Sequence, residues 1–245
     1  MAKSSGLGHQ LLVGTVNLAG DIRSVDSIAT PRGTYDCTGI DKSAMERLHG
    51  RRDGRLACTA SFNDAANQAH PTLSALPTTD VQFSYLCGTT AGDRAASITA
   101  KQLTYNANRS QDGDITFTVD AVANGYALGW GHLLTDSLET ITGASNLAGA
   151  ETAAAATDLG LAAYLHVSAF TGTSAAITIE DSDDNGSVDP YALVTGAAFS
   201  SVTGTGVERI NTAATENVKQ WLRVAVTGTF TSLTFAVIAV RNATS

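Results

Sequence analysis

The sequence predicts a mainly β protein, and three observations carry that expectation. Apolar and polar residues alternate along most of the 245 residues, the two-residue period of a half-buried strand. Only 16% of residues are charged and Thr, Ala, Gly and Ser are abundant, a composition that favours sheets joined by tight turns. A single stretch, residues 38–77, carries helical grammar, so helices are an accessory.

Residues 9–14 (HQLLVG) and 21–29 (DIRSVDSIA) read as short strands, and residues 34–38 as a third. Ser43 and Glu46 then stand at capping-box spacing, which predicts a short helix. Ala44, Met45 and Leu48 would form its apolar face, Arg47, Arg51 and Arg52 would lie off that face, and Gly50 would end it. Two turns are marginal in water, so this helix is expected to flank a sheet. Residues 55–62 alternate, with Leu56, Cys58 and Ala60 on one side. Asn63 and Asp64 offer a cap before AANQAH, and Pro71 can open a further turn through Leu76. Residues 80–87, 96–105 and 114–123 alternate clearly and predict long antiparallel strands.

The composition shifts at residues 135–157, where AETAAAAT reads as a linker or an exposed crossing segment. Strand grammar resumes over residues 163–170, 175–180, 191–194, 197–202, 207–211, 218–226 and 233–240. The expected organisation is therefore a β domain over residues 1–135, a linker over 136–157 and a small β-sandwich over 158–245.

The net charge of -8 argues against a protein that grips nucleic acid, because phosphate contacts need clustered Lys and Arg. The first ten residues, MAKSSGLGHQ, lack the apolar run of a signal peptide and no segment has the length of a membrane helix, so a soluble chain made in a cytoplasm is expected. Cys37, Cys58 and Cys87 share no metal-type spacing and are expected to be buried free thiols.

No catalytic constellation emerges. His9, His49, His70, His132 and His166 are dispersed, with His166 inside an alternating strand as a packed or surface-facing residue, and there is no nucleophile elbow, phosphate loop or dinucleotide fingerprint. Asp181, Asp183, Asn185, Gly186 and Asp189 match the opening of a calcium loop, but Ala192 occupies the twelfth position, where a bidentate Glu belongs. A charged hairpin turn and a weak cation site both explain these residues. Arg51, Arg52, Asp53 and Arg55 form either a solvated turn or one side of a charged contact between copies, with Asp80 or Asp93 as the opposite partner. No catalytic, cofactor-binding or metal residue is assigned.

The segments DCTGIDKSAMERLHGRRDGRLACTASFN, QAHPTLSALPTTDVQFSYLCGTTAG and KQLTYNANRSQDGDITFTVDAVANGYALGWG resemble the major tail tube proteins of long-tailed, siphovirus-like phages of actinobacteria. AYLHVSAFTGTSAAITIEDSDDNG and VKQWLRVAVTGTFTSLTFAVIAV resemble the C-terminal β-sandwich found in the same proteins. The resemblance covers nearly the whole chain in collinear order. It implies a tail-tube-like β-sandwich or barrel with a flanking helix, hexameric rings stacked around a lumen for DNA, and loops and an N-terminal arm that bridge rings. Barrel strands are expected among residues 55–62, 80–87, 96–105 and 114–123, with the C-terminal domain as outward decoration. The implied partners are other copies of the chain, a tape measure protein, tail tip and terminator proteins, and double-stranded DNA in transit. The implied place is the virion tail, with no membrane insertion, no enzymatic activity and no cofactor. The alternative is a glycan-binding adhesion or capsid-decoration protein, for which Tyr164, Tyr191 and Trp221 are the available aromatics, although their strand positions favour core packing.

Overall fold

A computed structural model describes residues 5–242. In chain order the strands are β1 (Gln10–Val13), β2 (Val16–Asn17), β3 (Ile22–Ala29), β4 (Arg32–Asp36), β5 (Arg47–Arg52) and β6 (Arg55–Ser61). After the helical turn α1 (Ala69–Leu73) come β7 (Val81–Leu86), β8 (Arg94–Arg109), β9 (Ile115–Ala123), β10 (Gly129–Leu133), β11 (Glu139–Ile141), β12 (Ser145–Asn146) and β13 (Ala150–Glu151). β14 (Leu161–Ser182), β15 (Ala192–Ala198), β16 (Gly206–Asn211) and β17 (Trp221–Arg241) complete the described chain. The mainly β class is the one the alternation predicts.

Contacts divide the chain into two interleaved units, one of residues 1–20, 84–97 and 130–245, the other of residues 21–83 and 98–129. β7 and β8 each run from one unit into the other, so the units do not follow a single boundary along the chain. The N-terminal arm implied by the resemblance begins in residues 1–4, outside the described residues.

The spine of the first unit is the antiparallel ladder of β14 and β17, in register from Leu161 opposite Arg241 to Ser182 opposite Trp221. The sequence predicts two strands in each of these segments, residues 163–170 and 175–180 in one and 218–226 and 233–240 in the other. The structure joins them, because the two breaks lie opposite each other: Ala175 faces Gly228 and Gly172 faces Phe230. They become bulges, which bend and twist a ladder without ending it. Gly172 and Gly228 adopt φ of 156° and 128° there. Residues from both halves of β14, including Leu165, Val167, Ile177 and Ile179, share one core with Val224, Val226, Phe235 and Val237. Leu12, Leu86, Ala95 and Leu133 cover the opposite face of Ala162, Tyr164, Ala236 and Ile238. That part of β14 is buried on both sides, which explains its nearly unbroken apolar run.

Residues 136–157, expected to be a linker, instead carry β11, β12 and β13, each paired with β17. Their small side chains fit against a neighbouring strand: Ala150 is buried and the Thr140 and Thr234 hydroxyls are 2.8 Å apart.

The second unit is built on the antiparallel order β3, β6, β9 and the C-terminal part of β8. Leu56, Cys58, Ala60, Phe117, Val119 and Ala121 form its buried face. The helix expected over residues 43–50 is absent. Residues 47–52 are β5, which pairs with β4 in a separate two-stranded sheet. The reason is local: Thr38 Oγ1 accepts the Glu46 N–H at 2.8 Å, a donor the capping box would have used, and Thr34 and Tyr35 offer a strand partner. A helical turn does form at α1, within the stretch from Asn63 to Leu76 where helical turns are expected, but no side chain of the Gln68 cap contributes. Asp21 replaces it, accepting the Ala69 N–H at 2.9 Å and the Asn63 amide at 2.8 Å.

Candidate assembly surface

Several of the histidines are engaged in contacts within the fold. In the first unit, His166 is buried, with Nδ1 2.7 Å from the Gly14 carbonyl and Nε2 2.8 Å from Ser84 Oγ, which is 2.7 Å from Ser97 Oγ. A carbonyl only accepts, so Nδ1 carries the proton, Ser84 donates to Nε2 and Ser97 donates to Ser84. Burial pushes the His166 pKa down to about 4. The pair resembles a serine–histidine couple in distance alone, because Ser84, Ser97 and His166 are all buried. His132 is also held neutral, at a pKa of about 4, by burial and by the nearby Arg94 and Arg241 charges. His9 bonds the Tyr85 hydroxyl at 2.6 Å, and in the second unit His70 bonds that of Tyr105 at 2.9 Å.

The three cysteines are free, but Cys37 is exposed rather than buried as expected. It lies next to the exposed end of β4, which no core covers. Cys58 fits the expectation, with burial pushing its thiol up to about 12.

In the loop of residues 181–189, backbone and lysine donors engage the carboxylates of Asp181, Asp184 and Asp189. Asp184 accepts the backbone N–H groups of Ser187, Val188 and Asp189. Asp189 takes Lys219 Nζ at 2.7 Å and the Asp183 N–H at 2.9 Å, and Asn185 Oδ1 takes the Tyr191 hydroxyl at 2.7 Å. Asp181 is buried and accepts the Lys219 N–H. This is the hydrogen-bonded turn of a hairpin, and among the described residues no group of three His, Cys, Asp or Glu is placed to hold a metal.

The predicted basic cluster separates. Arg55 pairs with Asp120 at 2.7 Å and Asp80 with Lys101 at 2.8 Å, both within the second unit, whereas Arg51 and Asp93 have no ion pair among the described residues. Two of the three aromatics of the glycan alternative are engaged within the chain. Tyr164 is buried, and Tyr191 lies under the Arg223 guanidinium, 4.2 Å from its ring centre.

What remains is a surface. Register places Ser24, Thr59, Thr118 and Asn106 in one row across the outer face of the second unit's sheet, with Ala57, Asp120 and Thr104 in the next and Ser61, Thr116 and Asn108 in another. Each cation on this face is paired. Arg23 grips Asp114 with two nitrogens and reaches Ser61 Oγ at 2.7 Å, and Arg55 binds both oxygens of Asp120. The carboxylate of Asp114 is held below the usual range by that hydrogen bond to Arg23, and the Arg23 guanidinium is raised in turn by the same contact. Asp26, bonded by Ser24 and Thr59, adds a carboxylate without a cation. The face is polar and faintly acidic. It is also flanked by unfinished edges, since β3 pairs only with β6 and residues 103–109 of β8 pair only with β9 among the described residues. The sequence carries this face as alternating Thr, Ser and Asp, but strand register was needed to show that both arginines are neutralised.

No family model matches the chain, and no curated protein matches it. Among solved structures it resembles the tail of an empty gene transfer agent particle refined with C6 symmetry, at 16% identity and a TM-score of 0.37 over 48% of this chain and 92% of the other. The SPP1 Dit protein, described as a hub adsorption apparatus in phages infecting Gram-positive bacteria, gives 11% identity and 0.34 over 94% and 98%. The phage p2 baseplate in its activated conformation with Sr gives 8% identity and 0.34 over 96% and 98%. These neighbours are tail, hub or baseplate components of phages or of a gene transfer agent.

Proposed function

We propose that the chain is a structural virion protein, the major subunit of a phage tail tube, and that it acts by assembly rather than by catalysis. The observation that carries this reading is the four-stranded sheet of the second unit, a polar face on which Arg23, Arg55 and Lys101 are each ion-paired, lying between two edges left open among the described residues. Open edges present unpaired backbone groups and are completed by another strand. Joining β3 of one copy to residues 103–109 of β8 in the next is a head-to-tail contact, which closes into a ring when the rotation allows. In hexameric rings stacked end to end, β6, β8 and β9 would line the conduit.

The face suits a lumen. Binding to DNA is driven by free Lys and Arg that release counterions from phosphates, and cations already paired with carboxylates supply little of that drive. Double-stranded DNA would pass without being held. The bent β14–β17 ribbon would decorate the outside, a tape measure protein would occupy the tube before DNA, and tip and terminator proteins would close its ends. Electron microscopy of the purified chain tests the reading: stacked rings with an open channel are expected, and a population of monomers at all concentrations would refute it.

A further inference from the structure

The sequence holds two Asn-Gly pairs, Asn124–Gly125 in the second unit and Asn185–Gly186 in the first, and all four residues are exposed. The pairs are alike in chemistry and opposite in structure. Glycine has no Cβ to shield its nitrogen, so in such a pair that nitrogen can attack the preceding side-chain amide. A new bond joins the Gly nitrogen to Asn Cγ, the Cγ–Nδ2 bond breaks, and ammonia leaves with the proton that the Gly N–H gives up. Water then opens the cyclic imide at either carbonyl, which yields aspartate or, with the main chain rerouted through Cγ, isoaspartate. Water is the sole co-reactant. At Asn185 the fold opposes the attack. The Gly186 N–H donates to Ser182 Oγ at 2.8 Å, and Ser182 is fully buried. Asn185 Oδ1 accepts the Tyr191 hydroxyl at 2.7 Å, and the Tyr191 ring is itself held under the Arg223 guanidinium. Nucleophile and target are tied to different partners, and each tie must open before they meet.

At Asn124 the constraints fall elsewhere. The Asn124 N–H donates to the Thr99 carbonyl at 2.9 Å, just beyond the last rung of the β8–β9 ladder, where Ala100 faces Ala123. The chain leaves the ladder there. Gly125 adopts a φ of 76°, and its N–H has no hydrogen-bond acceptor among the described residues. The Asn124 side chain is held through Nδ2, which donates to both oxygens of Asp80 at 3.0 and 3.2 Å in a contact open to water. Nδ2 is the group that departs as ammonia, so the attacking nitrogen and the amide oxygen of this pair are left unengaged among the described residues.

We propose that Asn124 is a site of self-modification in the folded chain, turning to aspartate and isoaspartate, whereas its loop keeps Asn185 an amide. The inference is independent of the assembly reading. Conversion replaces the donor that faces Asp80 with a second carboxylate, beside an Asp80–Lys101 pair 2.8 Å long. The end of β9 thereby gains negative charge and loses its hydrogen bonds to Asp80, and the isoaspartate form adds a methylene to the main chain at the same point.

Peptide mapping by mass spectrometry tests it. The folded chain and a urea-unfolded control are aged at mildly alkaline pH and cut with chymotrypsin, which places Asn124 and Asn185 on peptides ending at Tyr126 and Tyr191. The control sets the intrinsic rate of each pair and so removes the influence of flanking residues. Relative to it, folding is expected to slow Asn185 by about tenfold or more, since each hydrogen bond that must open first costs several-fold in rate. Asn124 is slowed far less and accumulates both acidic products, with isoaspartate separated from aspartate by retention time. Y191F, which removes the donor to Asn185 Oδ1, raises the rate at Asn185 and leaves that at Asn124 unchanged. N124Q keeps an amide within reach of Asp80 and abolishes the acidic products at that position. Equal protection of the two asparagines by folding, Asn124 still an amide in the folded chain when the control has converted, or an unchanged Asn185 rate in Y191F overturns the proposal.

Discussion

Acid should loosen the first unit through one residue, His166. In the folded chain its pKa is about 4, because burial penalises the charged ring by more than the hydrogen bond to the Gly14 carbonyl favours it. In the unfolded chain the same imidazole returns to about 6.5. The folded value is the lower one, so between these two pH values the unfolded state binds a proton that the folded state refuses. Stability is therefore complete above about pH 6.5 and falls as the pH drops toward the folded pKa. At pH 4.5 the integrated loss is about 2.5 kcal/mol, with each pKa unit worth about 1.4 kcal/mol. Urea unfolding from pH 7.5 to 4.5, compared between the unmodified chain and H166N, isolates this contribution, because His132 and the carboxylates titrate in both. The H166N curve should be lower at neutral pH, having lost the acceptor for Ser84, but flatter by about 2.5 kcal/mol over that range. Parallel pH curves for the two proteins would refute the argument.

Two further outcomes follow from the same geometry. Gly228 has a φ of 128°, and a Cβ there would lie 2.4 Å from the Ser174 carbonyl oxygen, so G228A should cost about 2 kcal/mol or more by thermal unfolding, whereas G204A, which meets nothing within 4 Å, should stay within about 0.5 kcal/mol; equal melting temperatures for the two variants would contradict the bulge account. A thiol reagent at pH 8 should label the exposed Cys37 quickly and leave Cys58 unmodified until the protein unfolds, since burial keeps that thiol protonated; mass spectrometry after trypsin digestion reports which cysteine reacted, and early labelling of Cys58 would show that its strand opens.

Strand alternation was legible wherever one face of a strand is wet. Residues 55–62, 80–87, 96–105 and 114–123 become β6, β7, β8 and β9 with small shifts at their ends. The failure at residues 43–50 has a specific cause. Ser43 and Glu46 satisfy the helical capping rule, but Thr38 captures the Glu46 N–H, and Tyr35 gains a cross-strand partner in Leu48. Both competing interactions come from residues upstream of the predicted helix. Likewise TGTS at residues 171–174 has the composition of a turn, and only the matching break in β17 turns it into a bulge.

By itself the amino-acid sequence determined the β class and the acidic balance, because these follow from local period and composition. Tertiary structure alone decided which charges cancel. Arg55 finds Asp120 through strand register, Lys101 finds Asp80, and Arg47 and Arg51, on a ribbon outside the larger sheet, have no ion pair among the described residues. Ion pairing depends on distances of a few ångströms between residues far apart in the chain, and those distances exist only once the strands have been placed side by side.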